Sequence, residues 1–441
     1  TKLAQTISEL AAHIHQKSQC NLDSLSAGDV RVFQVSLYPT ERGFLHLRNI
    51  PQVLVGNRRI HVAQQVITGY SASAIAQQKK HYNYFNELQA EYAYVEGQQG
   101  KSPDGKSEFV LVNNNKELEA ALKKKNTLIG IITIEGGHAL GTGAPDTDKI
   151  PKEELIEQLT KNIQIIKNWK VPPFQINLSH HFWNQLAGHA TSFKRPINSL
   201  VNQNKGKNKG ITEAGWHVIR ELLSTGNGKR ILIDTKHMSV AARKEYYAFI
   251  TNHNHVNPQH KIPVISSHAC ANGFKTMDSS IRQNDVFAKT RKDRLYKWSI
   301  NISDEEARII HQSEGLIGLM VDRGNMGGID LIKEIVKIPD PVKQRKEYAR
   351  LFWDNAFQLV KAVGEKSGWD MIGLGTDYDG SITHMDPYPT AVEIPMLQQD
   401  LIEVLESTQY RKELWFGYTP QELVEKIMHG NALAFYQKFF V

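Results

Sequence analysis

The chain has 441 residues, of which 40% are hydrophobic and 22% charged, and its 53 basic and 46 acidic residues give a net charge of +7. These proportions are those of an ordinary globular protein, and the length suits one large barrel domain or two medium ones. No apolar run reaches the length of a membrane span, the basic clusters Lys123–Lys125 and Asn202–Gly210 lack the interleaved aromatics of a nucleic-acid surface, and Cys20 and Cys270 form neither a zinc pattern nor a disulfide framework.

The chain opens at Thr1 with a polar, helix-like stretch, TKLAQTISELAAHIHQ, which is neither a signal peptide nor an initiator methionine. Val30–Leu37 is the first strand candidate. Phe109–Val112, Leu128–Ile134, Phe174–Leu178, Ile231–Asp234, Ile262–Ser266, Leu316–Val321 and Met371–Gly375 follow. These runs are continuously apolar rather than alternating, as in strands buried on both faces of a parallel sheet. Amphipathic helices are expected between them. One covers Glu153–Asn168. A second is opened by Thr212, with Glu213 in its first turn. Asp304–Ser313 and Lys343–Val363 are two more, and Thr419-Pro420-Gln421-Glu422 starts a last one, with proline at the first helical position. This alternation predicts an α/β fold, a (β/α)8 TIM-like barrel, as a single domain over residues 1–441 with helices at its C-terminal end.

Three motifs mislead. Gly100–Ser107 fits the phosphate-loop pattern GxxxxGK[ST] letter for letter. That loop needs a strand before it and a helix after it, so that backbone N–H groups face the phosphates. Here a helix-like segment precedes and a strand follows, so a turn is expected and nucleotide binding is not. His13-x-His15 lies in a polar helical pattern and His253-x-His255 in an Asn/His/Pro-rich loop, and both read as surface histidines.

Five strand ends carry residues able to do chemistry. The first run ends in Glu135-Gly136-Gly137-His138 and the next in Ser179-His180-His181. The others end in Thr235-Lys236-His237, in Ser267-His268 and in Thr376-Asp377-Tyr378-Asp379-Gly380. In a barrel each would stand at the C-terminal mouth. A carboxylate placed directly after a buried strand is costly unless it is paired or bound to metal. A lone histidine at such a place is more often a hydrogen-bonded core residue, and Asp379-Gly380 alone could be a turn. Glu, His, His, His and Asp recurring in successive units form a ligand set suited to zinc and similar divalent ions. An ion of that kind can activate water at neutral pH.

These residues resemble the membrane (renal-type) dipeptidase family of the amidohydrolase superfamily. The resemblance runs through IEGGH (Ile134–His138), LSHHFWN (Leu178–Asn184), GITEAGWHVIRELL and ILIDTKHMS (Gly210–Ser239), PVISSH (Pro263–His268), GLGTDYDG (Gly373–Gly380) and His429–Leu433, in the family's order and over roughly residues 25–440. It implies two divalent ions, usually zinc. Glu135 would bridge them, and His237 and His268 would complete the second site. Asp377 would orient the bridging hydroxide, take its proton and pass it to the leaving amine. His180 would stabilise the oxyanion. His138 is not a family ligand and is taken as structural. The implied reaction is hydrolysis of a small dipeptide by metal-bound hydroxide, and the implied assembly is a homodimer. The compartment, cytoplasm or periplasm, stays open, with the cytoplasm the first expectation.

Two departures stand beside the match. The family's first barrel strand ends in an HxD or HxH pair that binds the first metal, and no such strand is present. Val30–Leu37 corresponds to the family's second strand, and Phe109–Val112 is an extra short element. The abrupt start at Thr1 favours an omitted upstream segment. Beyond His268, where the family supplies an arginine for the substrate carboxylate, Arg282 is the candidate. A related hydrolase acting on another amide or a lactone, or a non-catalytic barrel, are the alternatives.

Overall fold

The structure is a computed structural model and describes residues 18–45, 71–80, 83–102, 105–144, 147–193, 201–282, 291–380 and 382–441. Among these, nine strands form one sheet: β1 Val32–Leu37, β2 Gly100–Lys101, β3 Glu108–Leu111, β4 Thr127–Ile134, β5 Gln175–Asn177, β6 Leu232–Asp234, β7 Ile265–Ala269, β8 Leu316–Leu319 and β9 Ile372–Leu374. Strands β4 to β9 pair in sequence order, all parallel, and β1 lies parallel to β4. Strand β4 explains the branch. On one edge its backbone bonds β1, as in Glu135 N–H to Leu37 O. Its other edge is shared end to end by β3 and β5, through Val112 N–H to Gly130 O and Phe174 N–H to Ile132 O. The extra element expected at Phe109–Val112 is thus a short flank beside the barrel series.

The sheet curls into a barrel wall. Strands β4 and β7 are three positions apart, roughly 14 Å along a flat sheet at normal strand spacing. Yet Glu135, just after β4, comes within 3.5 Å of His268 on β7. No strand among the described residues closes the gap between β9 and β1, as expected for a barrel lacking its first strand. Other segments bridge it. At the mouth, Ser18–Cys20 dock on Asp379, just after β9, and lead through the helix Leu22–Ala27 into β1. At the other end, the last helix, Asn431–Phe439, donates from Asn431 Nδ2 to Trp369 O and Ile372 O beside β9. Five residues on, its Tyr436 Oη accepts from Gln34 Nε2 of β1.

The helices form where the apolar period and the caps agree. Thr212 caps Glu213–Leu223, Ser303 and Glu306 form a capping box on Asp304–Gln312, and Thr419 and Glu422 do the same for Pro420–Glu425. Lys152–Lys167 and Pro341–Val363 lie within two residues of the expected bounds. The longest helix buries Phe352, Trp353 and Phe357. No helix among the described residues is long and apolar enough to cross a membrane.

The phosphate-loop pattern begins in β2, which pairs antiparallel with β3, so the pattern is followed by a strand, as expected. Two other expectations are corrected. His253 and His255 stand in the last turn of the helix Val240–Val256, not in a loop, because Asn257 and Pro258 end the helix only after them. Strand β7 runs three residues beyond the expected Ile262–Ser266, so His268 lies inside the strand rather than after it. His13-x-His15 falls outside the described residues.

Candidate active site

The five strand ends converge. Glu135 Oε1 lies 3.3 Å from His237 Nε2 and 3.5 Å from both His180 Nε2 and His268 Nε2. The two ring nitrogens of His237 and His268 are 3.1 Å apart, and Asp377 Oδ2 stands 4.0 Å from His268 Nε2. Local backbone devices aim these groups. Gly136, at φ 103°, turns the chain directly after Glu135, and a Cβ there would strike the His138 ring at 2.3 Å. Strand β7 carries one extra residue between Ser266 and Ala269 relative to β8, a bulge that turns His268 toward the mouth. His237 and Asp377 hold left-handed backbone, at φ 67° and 56°, a strained conformation that clusters at functional sites.

The donor set fits a divalent ion. Glu135, His237 and His268 each present one ligand atom, all within 4.8 Å of one another, and the buried His180, His181 and His237 form a second such group. Metal-binding histidines usually have their other ring nitrogen held by an outer partner. That holds for His268, whose Nδ1 pairs with Ser267 Oγ at 2.8 Å, and for His181, whose Nδ1 pairs with Ser192 Oγ at 2.7 Å. His237 Nδ1 is buried with no hydrogen-bond partner among the described residues.

Burial and proximity shift the protonation of these groups. Burial holds His268 down at about 3 against the opposing charge of Glu135. Burial, then the charge of His180, hold His237 well below its ordinary value. Both rings are therefore neutral and free to ligate. Burial alone would raise Glu135, but the charge and contact of His180, with His237 and His268, bring it well below the usual carboxylate range. Asp377 moves the other way: burial raises it well above that range, Glu135 adds to the rise, Lys236 opposes it and Asp322 adds again. A carboxyl so placed can hold a proton. Burial would lower His180, but Glu41 and Glu135 on either side raise it to about 10.

Three nearby residues carried no role in the sequence reading. Glu41 is buried and bonds His180 Nδ1 at 2.7 Å. Lys236 is buried below the mouth, its Nζ 3.9 Å from Met320 Sδ, with Asp377, Asp322 and Asp234 as its carboxylate neighbours. Asp322 accepts from Gly324 N–H and Asn325 Nδ2 just after β8. A charged residue shortly after a buried strand was a usable signal for Lys236 and Asp322. Glu41 lies four residues beyond β1 and gave none. His138 is structural as expected, with Nε2 on Pro39 O at 2.7 Å. Arg282 ends the helix Met277–Arg282, and its side chain falls outside the described residues.

The curled parallel sheet, with Glu135, His237, His268 and Asp377 gathered at its mouth, is the wall of a (β/α) barrel. Solved structures share it. A metallo peptidase from Rhodobacter sphaeroides, liganded with a phosphinate mimic of the dipeptide L-Ala-D-Ala, matches at TM-score 0.54 and 14% identity over 96% of this chain and 91% of its own. The dipeptidase AC, a metallo peptidase of family M19, matches at TM-score 0.52 and 15% identity over 100% and 95%. An amidohydrolase from Pseudomonas aeruginosa matches at TM-score 0.51 and 14% identity over 98% and 99%. No protein-family model and no curated protein matches the chain. The fold expected from the motifs is therefore the fold observed.

Proposed function

We propose that this chain is a metal-dependent hydrolase that cleaves a small dipeptide. The observation that carries the reading is the convergence of Glu135, His237 and His268 on one point, with Asp377 and His180 at its rim. Glu135, His237 and His268 would hold a divalent ion, with zinc the first expectation from the His/carboxylate donor set. Such an ion, when bound, supplies Lewis acidity and lowers the pKa of water.

The chain's own groups account for the rest of the reaction. Asp377, held above its ordinary range, takes the proton from the attacking water at a carboxylate oxygen and returns it to the departing amine. His180 Nε2 faces the mouth beside Glu135, where a donor stabilises the developing oxyanion. The HxD strand of the resembling family is not among the described residues. Occupancy by one ion or two is therefore a quantity to measure. Arg282 remains the proposed contact for a substrate carboxylate, and a homodimer the proposed assembly.

The test combines elemental analysis with a substrate panel. The unmodified protein should carry at least one divalent ion per chain and cleave dipeptides, among them L-Ala-D-Ala and L-Ala-L-Ala. His237→Ala should lose metal, and unchanged stoichiometry would remove His237 from the ligand set. Absence of metal from the unmodified protein would sink the reading. Cleavage of C-terminally amidated dipeptides as fast as free ones would turn it toward another amide substrate.

A further inference from the structure

Glu41 sits in the turn Arg42–Phe44 and its N-cap, beyond β1, far in sequence from the groups it serves. Its side chain is 2% exposed and accepts from four donors. Oε2 takes His180 Nδ1 at 2.7 Å, Tyr38 Oη at 3.2 Å and His181 N–H at 3.3 Å, and Oε1 takes Phe182 N–H at 2.9 Å. A carboxylate satisfied in this way is stable in the interior despite its burial. Burial alone would raise it, but the charge and bond of His180, with His138 and His181 beyond, hold Glu41 well below the ordinary carboxylate range, so it remains an acceptor.

We infer that Glu41 is a positioning residue, holding the His180 ring so that its Nε2 faces the reacting centre. An ionised carboxylate only accepts, so the Nδ1 of His180 carries the hydrogen of that bond and cannot turn toward the mouth. The same carboxylate ties down the backbone of His181 and Phe182, which fixes where the His180 side chain starts. Aromatic contacts complete the clamp: the Tyr38 ring lies edge-on at 4.8 Å and the His181 ring at 3.7 Å, centroid to centroid. Among the described neighbours, Glu41 is the only carboxylate bonded to His180 Nδ1, while Glu135 faces Nε2. The kinetic consequence rests on the hydrolase reading above, and the geometry does not.

The test is a double-mutant cycle with a spectroscopic arm. Glu41→Leu removes both acceptor oxygens and Glu41→Gln keeps one. Each is made alone and with His180→Ala. Misplacing a reacting-centre group by about 1 Å costs roughly 100-fold, so kcat should fall by up to that factor in Glu41→Leu and by less in Glu41→Gln. KM should move less than about twofold, because the lost interaction belongs to the transition state. Metal content should be unchanged. In the His180→Ala background either Glu41 variant should cost nothing further in kcat, since both act through one ring. Losses that multiply, or a kcat untouched by both variants, would overturn the inference. If Glu41→Leu does not fold, Glu41→Gln carries the same comparison.

The second arm needs no substrate. In zinc-loaded protein with 15N-labelled histidine, the His180 Nδ1 resonance should shift in Glu41→Gln, and an unmoved resonance would count against the bond. Failure to cleave any dipeptide would remove the hydrolase reading and leave this spectrum to decide the role of Glu41.

Discussion

Two buried clusters of ionisable residues in this molecule, an arginine–carboxylate pair and a histidine–carboxylate group, are satisfied differently. Behind β6 and β7, Arg243 and Glu306, 1% and 0% exposed, pair at 3.1 Å. Glu306 also takes Ser303 N–H, Ser303 Oγ and Tyr247 Oη, and Arg243 donates to Ser299 O and Ile300 O. At the mouth, Glu135, His237, His268 and Asp377 stand closer together than neutral packing would favour. There His237 Nδ1 has no hydrogen-bond partner among the described residues, and Asp377 comes no nearer than 4.0 Å to His268. The first cluster spends most of its polar atoms on the fold, although Arg243 Nε meets Glu306 only as an ion pair, without a hydrogen bond. The second gathers Glu135, His237 and His268 at one point, where the proposed divalent ion would offset the cost of their desolvation. Burial is common to both, and satisfaction is what separates a structural charge from a functional one.

The contrast can be broken from either side. Asp377→Asn should lower kcat by about 10²- to 10⁴-fold, the usual share of a general acid–base group. It should leave the metal-free melting temperature unchanged or raised, because the raised folded-state pKa means that ionised Asp377 opposes folding at neutral pH. Near-normal turnover in this variant would end the proton-shuttle role. Arg243→Met should do the reverse. Stranding Glu306 in the interior should cost about 3–5 kcal/mol of stability, with kcat per folded molecule nearly intact. A denaturant titration beside an activity assay checks both halves, and a large kcat loss without destabilisation would erase the distinction.

A smaller effect is expected at the far end of the barrel. Asn431→Ala leaves Trp369 O and Ile372 O without their shared donor and should cost about 1–3 kcal/mol, again without change in metal content. A further effect is in the pH dependence of the metal-free protein. The fold holds His268 at about 3 against an ordinary 6.5, so between those values the unfolded chain binds more protons and stability falls as pH drops. His180, held at about 10, binds its proton more tightly in the folded state, so its contribution is lost as pH rises from 6.5 toward 10. Melting temperature should therefore peak near neutral pH and decline on both sides. A monotonic profile would mean that the mouth does not hold its histidines in opposite states.

Much of the mouth was legible in the sequence, because most of its proposed ligands follow an apolar run closely. Glu135 comes after eight buried residues of β4, and Asp377 comes shortly after β9. The exception in register was His268. Its strand carries a bulge, and a one-residue bulge has no signature in an apolar run. The strand that follows Gly100–Ser107 was read correctly, because Phe109–Val112 is a short apolar run.

The sequence by itself determined the strand–helix alternation and the identities of the groups at the strand ends, since hydrophobic period, caps and turn residues act over a few neighbouring positions. Only the tertiary structure decided which of those groups meet. Curling the sheet brings Glu135 to His268, and the turn beyond β1 delivers Glu41 to His180, 139 positions away. It also showed that Arg243 and Glu306 form a buried ion pair, while His237 Nδ1 has no hydrogen-bond partner among the described residues. Contacts of that range depend on the closure of the whole wall, and burial and pairing, which separate a structural charge from a reactive one, exist only once it is closed.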